Sequence, residues 1–585
     1  MNPIVGNARG RTLLPSMTGR SVRLPGVSTT IVLLCLLLSI PILTILFSVG
    51  AGSEGVWEHL YGTVLGDYVL NSLGLMLGVG LSVLVIGIGP AWLVTMTRFP
   101  GSRVLEWALV LPLSIPAYII AYTYTGMLDI GGPVQSWIRE TFSLRFGDYW
   151  FPQVRSLGGA ITMLSLVLYP YVYLLSRMAF LEQSVCALEV SRTLGASPWR
   201  AFSRVAVPLA RPAIIAGLSL VLMETLADYG TVQYFGVSVF TTGIFRTWFG
   251  LGSPVAAAQL AAVLMIFILM LVLAEHWSRN KARYHHTSNR YRRLPQIELR
   301  GWKRVAAMVY CVLPVLLGFA IPFVQLSLWT LQTWDLIDRA GFLTLFTNSL
   351  QLAAITAVLA LLLGLFITYS KRLRPTVLLR GSVRVLGLGY AIPGTVIAVG
   401  VLIPFAWFDN TLDAWMREQF NVSTGLLISG TLVAVIFAYL VRFLPVALNT
   451  LDAGLGNIRP TMDDAGRSMG LKPWQILRRI HMPIMRGSLL TASLLVFVDV
   501  LKELPATLIL RPFNFNTLAI RTYELANQER LAEAACSALM IVLAGIVPVI
   551  ILSQSISHSR PGQSRAGQAR PGDESAHASG GDTHA

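Results

Sequence analysis

The chain has 585 residues, 54% of them hydrophobic and only 13% charged, with a mean hydropathy of +0.64. A soluble domain carries about 25% charged residues, so a soluble enzyme is excluded, and the bulk is too apolar for disorder. The formal charge of +16, from 45 Lys and Arg against 29 Asp and Glu, is then first of all a membrane-topology signal.

In chain order, a basic segment, 1–29, comes first. Six apolar runs follow near 30–49, 69–95, 105–127, 157–179, 212–235 and 255–275. Each approaches the ~20 residues needed to span a bilayer. A basic linker, 276–304, leads to six more runs near 305–328, 347–369, 385–406, 425–447, 488–510 and 534–555. A tail, 556–585, is rich in Gly, Ser, Arg, His and Ala and reads as disordered. The first run is longer than a usual signal-peptide core and no clear cleavage site follows, so it reads as a retained helix. The expected fold is an all-α membrane protein of twelve helices, in halves 30–275 and 305–555.

With the N-terminus inside, 35 of the 45 basic residues fall in inside segments and 9 in outside loops. The outside loop 50–68 has Glu54, Glu58 and Asp67 and no base. This bias places both termini in the cytoplasm and accounts for the charge without nucleic acid. The cysteines, Cys35, Cys186, Cys311 and Cys536, have no metal-site spacing and read as small core residues.

The strongest feature is a duplication. Residues 189–211 read EVSRTLGASPWRAFSRVAVPLAR and residues 464–486 read DAGRSMGLKPWQILRRIHMPIMR. Seven positions are identical at an offset of 275: Arg192/Arg467, Gly195/Gly470, Pro198/Pro473, Trp199/Trp474, Arg204/Arg479, Pro208/Pro483 and Arg211/Arg486. Asn71-Ser72-Leu73 echoes Asn348-Ser349-Leu350, and Pro116 echoes Pro393, at offset 277. Six helices per half make the repeats parallel, related by an axis along the membrane normal. Both long copies fall in cytoplasmic loops. Gly195 and Gly470 can end a helix in a left-handed turn, and Pro198 and Pro473 suit the first turn of a new one. Trp199, Phe202 and Val205 then share one side of that short helix, as do Trp474, Leu477 and Ile480. Such a helix can dock in a partner's groove or lie on membrane lipid.

This segment resembles the EAA motif of ABC importer permeases. Glu189 to Gly195 and Asp464 to Gly470 keep its six-residue spacing, although Val190-Ser191 and Ala465-Gly466 stand where the family often has Ala-Ala. The resemblance implies a coupling helix seated on an ATPase subunit, with contacts from Glu189, Gly195, Trp199 and Pro208 in one copy and Asp464, Gly470, Trp474 and Pro483 in the other. It also implies two ATPase copies, an extracytoplasmic substrate-binding protein and a bacterial inner-membrane location. The chain as a whole, tail excepted, is similar to the fused two-half permeases of ferric iron importers. Glu224-Thr-Leu-Ala-Asp-Tyr-Gly-Thr and Lys502-Glu-Leu-Pro-Ala-Thr carry that narrower likeness. None of the five Lys residues lies in a G-x-x-x-x-G-K-[ST] loop, so ATP is expected on a separate subunit, with no cofactor held by this chain.

Of the 29 acids, 25 sit in loops, tails or helix ends; the other four are Glu224, Asp228, Asp499 and Glu503. The offset of 275 pairs Glu224 with Asp499 and Asp228 with Glu503. At spacing i, i+4 each pair would share one face of its helix near mid-bilayer. Intramembrane acids are costly and usually face a pathway; four around a pseudo-twofold axis would make an acidic ring suited to a hard cation. The alternative is structural: the acids pair with bases or cap helix breaks, with Lys502 and Pro505 close by. Tyr229 and Tyr234 are candidate phenolate donors, and His285 and His286 read as solvated. Thiamine or polyamine cargo, and a secondary transporter without an ATPase, remain open from the residues alone.

Overall fold

The computed structural model describes residues 25–53, 55–145, 147–182, 193, 197–280, 297–373 and 375–558. Ten helices there are long and apolar enough to cross a membrane, and twelve spans result if each of two bent helix pairs counts as one. Ser102–Ser114 meets Ala117–Phe142 at 91°, and Pro473–Ile484 meets Arg486–Leu501 at 81°.

The two halves repeat element by element. Leu65–Met96 corresponds to Arg339–Leu373, Leu157–Glu182 to Leu432–Gly456, and Pro254–Asn280 to Leu531–His558. The 3-10 turn Leu111–Ser114 recurs as Leu388–Ala391, and the π turn Phe202–Ala206 as Leu477–His481. A third π turn spans Leu316–Ala320. Each π turn ends two residues before a proline: Pro208, Pro483 or Pro322. Proline lacks an N–H and its ring crowds the carbonyl four residues back; a widened turn relieves both problems without breaking the helix. The Asn echoes also have a shared task. Asn71 Nδ2 donates to the Ser238 carbonyl at 2.9 Å, and Asn348 Nδ2 to the Asn516 carbonyl at 3.3 Å.

The first helix of each half reaches across to the other. Pro25–Ser48 packs on Val377–Gly387 and Gly394–Phe420. Its backbone crosses at Gly400, where a Cβ would stand 2.4 Å from the Pro41 carbonyl oxygen. The helix from Trp302 to Gln332 reciprocates: Gly318 abuts the Leu166 carbonyl, Tyr310 donates to the Val85 carbonyl, and Leu317 accepts from Tyr124 at 2.7 Å. Pro41 and Gly318 are 277 residues apart, the repeat offset. Both apolar cores consequently mix the halves. One joins Ile31 and Leu264 to Val396 and Leu444; the other joins Val83 and Tyr169 to Cys311 and Leu518. Cys35, Cys311 and Cys536 are buried thiols, while Cys186, His285 and His286 lie outside the described residues. Ile297–Glu298 forms a short parallel pairing with Thr97–Arg98, which fastens the far end of the linker to the first half.

Four expected spans are not continuous helices. Ile115 and Ile392 are extended, as residues before proline prefer, and helices restart after Pro116 and Pro393. The helix Val207–Ala227 stops at an extended Asp228 and resumes as Gly230–Tyr234. Arg486–Leu501 stops before Lys502 and resumes as Pro505–Leu510, with proline in its preferred first position.

Candidate functional site: a cavity at four helix breaks, and two elbows

These four breaks surround one cavity of about 130 Å³. All four intramembrane acids line it, together with Tyr118, Tyr171, Tyr229, Tyr390, Arg442 and Lys502. The expected i, i+4 placement of the acids on continuous helices is corrected. Glu224 and Asp499 are helical, but Asp228 and Glu503 sit in the breaks themselves. They stabilise the restart of the chain there. Asp228 accepts from Val232 N at 3.1 Å and Thr231 Oγ1 at 3.0 Å; Glu503 Oε1 accepts from Ala506 N at 3.1 Å. A carboxylate at a helix N-terminus satisfies donors that have no intrahelical partner.

The expected symmetric ring is also corrected, because the second half supplies two bases. Lys502 Nζ lies 2.8 Å from Asp499 Oδ1, and Arg442 Nε lies 3.6 Å from Glu503 Oε2. Subtracting 275 places Ala227 and Val167 at the matching first-half positions, and both of these line the cavity. Glu224 therefore has no ion-pair partner within 4.0 Å among the described residues; the phenol of Tyr390 lies against it. The structural alternative holds in part: Asp228, Asp499 and Glu503 each have a capping or pairing partner.

Sequence reasoning did not single out Arg442, which stands near one end of the apolar run 425–447. The helix Leu432–Gly456 runs well past it. Arg442 is only 7% exposed, and its Nε and Nη1 have no hydrogen-bond partner within the protein. The signal was a lone Arg inside AYLVRFLPVA. Of the two phenol candidates, Tyr229 reaches the cavity and accepts from Tyr523 Oη at 3.4 Å. Tyr234 instead lies beneath Arg155, whose guanidinium carbon is 5.1 Å from the ring centre.

The elbows lie at the other end of the Val207–Ala227 and Arg486–Leu501 helices. Glu189 and Gly195 fall outside the described residues. In the second copy, Pro460–Ser468 carries Asp464, which is exposed and 3.3 Å from Arg467. Gly470 has φ +77° and closes that helix: its N–H donates to the Arg467 carbonyl at 2.9 Å, and Leu471 N to the Gly466 carbonyl at 3.1 Å. Pro473 then opens the next turn. Trp199 and Trp474 are 71% and 63% exposed, and Pro208 and Pro483 are exposed just past the π turns. In the first copy the expected apolar side is present: Phe202 packs on both Trp199 and Trp92, with ring centres 5.3 and 5.2 Å away. In the second, Leu477 is buried while Trp474 is exposed.

The second elbow is tied by a polar cluster. Asp463 joins His481 Nε2 at 2.5 Å and Arg372 Nε at 2.8 Å, Arg372 donates to the Ile458 carbonyl, and Tyr369 donates to the Pro473 carbonyl at 2.6 Å. Burial pushes the His481 imidazole below its ordinary pKa and outweighs the opposing pull of Asp463.

The profile of the family described as "Binding-protein-dependent transport system inner membrane component" matches residues 83–280 and 360–564, once in each half. The Fe(3+)-transport system permease protein FbpB 2 of Haemophilus influenzae is 27% identical over 529 residues, covering 90% of this chain and 97% of that one. The putative ferric transport system permease protein FbpB 1 of the same organism is 25% identical, covering 76% of this chain and 70% of its own. The molybdenum transport system permease protein ModB of H. influenzae is 26% identical over 210 residues, which is 35% of this chain but 89% of that relative.

Proposed function

We propose, from the premise that this chain belongs to the family of binding-protein-dependent transport inner-membrane components, that it is the permease of an ATP-driven ferric iron importer. Membership makes it a multi-pass inner-membrane transport subunit and not itself an enzyme. The finer reading rests on one observation: four carboxylates from both halves converge on a single intramembrane cavity at four helix breaks. Carboxylate oxygens are ligands for hard cations such as ferric iron, and charged groups at that depth mark ion pathways. The near full-length likeness to an Fe(3+)-transport permease supports the same cargo.

In this reading both termini and the linker 276–304 are cytoplasmic, as is the tail 556–585, and a binding protein delivers cargo from the other side. Two ATPase copies sit beneath the elbows, one gripping Trp199 and the other Trp474, with Glu189, Asp464, Gly195, Gly470, Pro208 and Pro483 shaping the contacts. Closure of the ATPase pair moves the elbows, and the halves rock between inward and outward openings. The cavity carries 4 acids against 2 bases, a formal charge of −2, which attracts a cation yet permits release. Uptake assays with labelled ferric iron, thiamine and spermidine test the cargo. Iron uptake is expected; uptake of only an organic cation would overturn the ferric reading.

A further inference from the structure

The cavity has an unequal pair of walls. The first half contributes Glu224, which has no ion-pair partner within 4.0 Å among the described residues, whereas the second contributes Asp499 already engaged by Lys502 at 2.8 Å. Nothing in the repeat requires this, since the position matching Lys502 is Ala227. Lys502 caps the C-terminus of Arg486–Leu501, donating its N–H to the Val498 carbonyl, where a positive charge is favoured by the helix dipole. The side chain is 31% exposed along its length and ends on Asp499. Arg442 is buried at the same cavity with its Nε 3.6 Å from Glu503 Oε2, so both acids of the second half face a base.

We infer that Lys502 is a tethered counter-ion of the cargo. In the cavity without cargo its ammonium occupies Asp499; an entering hard cation takes that carboxylate, with Glu224 opposite, and the ammonium swings aside. On release the ammonium returns and displaces the cation. Lys502 is thus a positioning residue that touches the acids rather than the cargo, and it keeps affinity low enough for flux. A trivalent ion meets a formal charge of −2 with Lys502 present and −3 without it. This inference rests on the pathway reading above.

The test uses the purified full-length permease and Tb3+, a hard trivalent probe whose emission nearby tyrosines sensitise. Tyr118, Tyr171, Tyr229 and Tyr390 line the cavity. Lys502→Met and Lys502→Gln should each bind Tb3+ at least tenfold more tightly than the native chain, while Lys502→Arg should match the native value. In iron uptake the neutral variants should show lower KM and lower maximal rate together, because retention rises as release slows. Unchanged or weaker Tb3+ binding in folded Lys502→Met would overturn the inference. So would failure of both neutral variants to fold, which would make the residue a structural lock. Glu224→Gln, run in parallel, separates the two readings. If it binds Tb3+ and transports iron like the native chain, the pathway reading itself fails. If it is impaired while Lys502→Met is unchanged, only the role of Lys502 falls.

Discussion

Glu503 is seated against the bare backbone of Gly394: a Cβ at that glycine would lie 2.4 Å from Oε1 of the carboxylate and 2.7 Å from Nη1 of Arg442. The break after Ile392 thus makes room for the buried ion pair that closes one side of the cavity. Gly394→Ala should force this pair apart. Both partners are under 10% exposed, so the expected loss is about 1–3 kcal/mol. Thermal unfolding of the purified permease measures it; an unchanged midpoint would mean the pair relaxes freely.

The exposed tryptophans should behave oppositely. Trp199→Ala and Trp474→Ala remove little internal packing, so unfolding should shift by no more than about 0.5 kcal/mol. Binding of the ATPase subunit should weaken by roughly thirtyfold or more, the scale of a buried aromatic anchor. Affinity measurement in detergent separates the two effects. Native affinity in the double variant would remove the tryptophans from the interface.

Gly470 is required by its backbone rather than by crowding. Its φ of +77° is left-handed, and no atom lies within 4 Å of the point where a Cβ would stand. Gly470→Val should strain the elbow by about 1–2 kcal/mol and uncouple ATP hydrolysis from uptake while leaving the complex assembled. Uptake per ATP hydrolysed reads this directly; a native ratio would show that the bend does not transmit motion.

His481 supplies a pH prediction. Its folded pKa is lowered by burial, so the unfolded chain, titrating near ~6.5, binds more protons than the folded one in mild acid. The contribution is present above the unfolded value and lost as pH falls through the window below it. Unfolding midpoints should therefore drop on acidification from pH 7.5 toward 5.5, and His481→Gln should flatten that slope. An equal slope in the variant would assign the effect to other groups.

The repeat, the span count and the elbow were legible because they rest on local signals: apolar runs, a Gly thirteen residues before a Pro, and Trp after Pro. The breaks were not, because the apolar run near 212–235 continues past Asp228 without a loop-like stretch to mark where the helix stops. Its marker was chemical rather than hydropathic: Asp228 three residues before Thr231, and Glu503 two before Pro505, are capping arrangements. Arg442 escaped because hydropathy places a lone base at the nearest helix end, whereas Glu503 draws it into the bundle. The crossing of the first helices depends on Gly400 and Gly318, whose meaning appears only once the opposing backbone is in place.

The central claim is that Glu224 faces the moving cargo. Ferric uptake by vesicles holding the assembled importer with Glu224→Gln tests it most directly, with Glu224→Asp as the charge-preserving control. Uptake should fall at least tenfold in Glu224→Gln and largely recover in Glu224→Asp, with assembly and unfolding midpoint unchanged in both. Native uptake by Glu224→Gln would contradict the account.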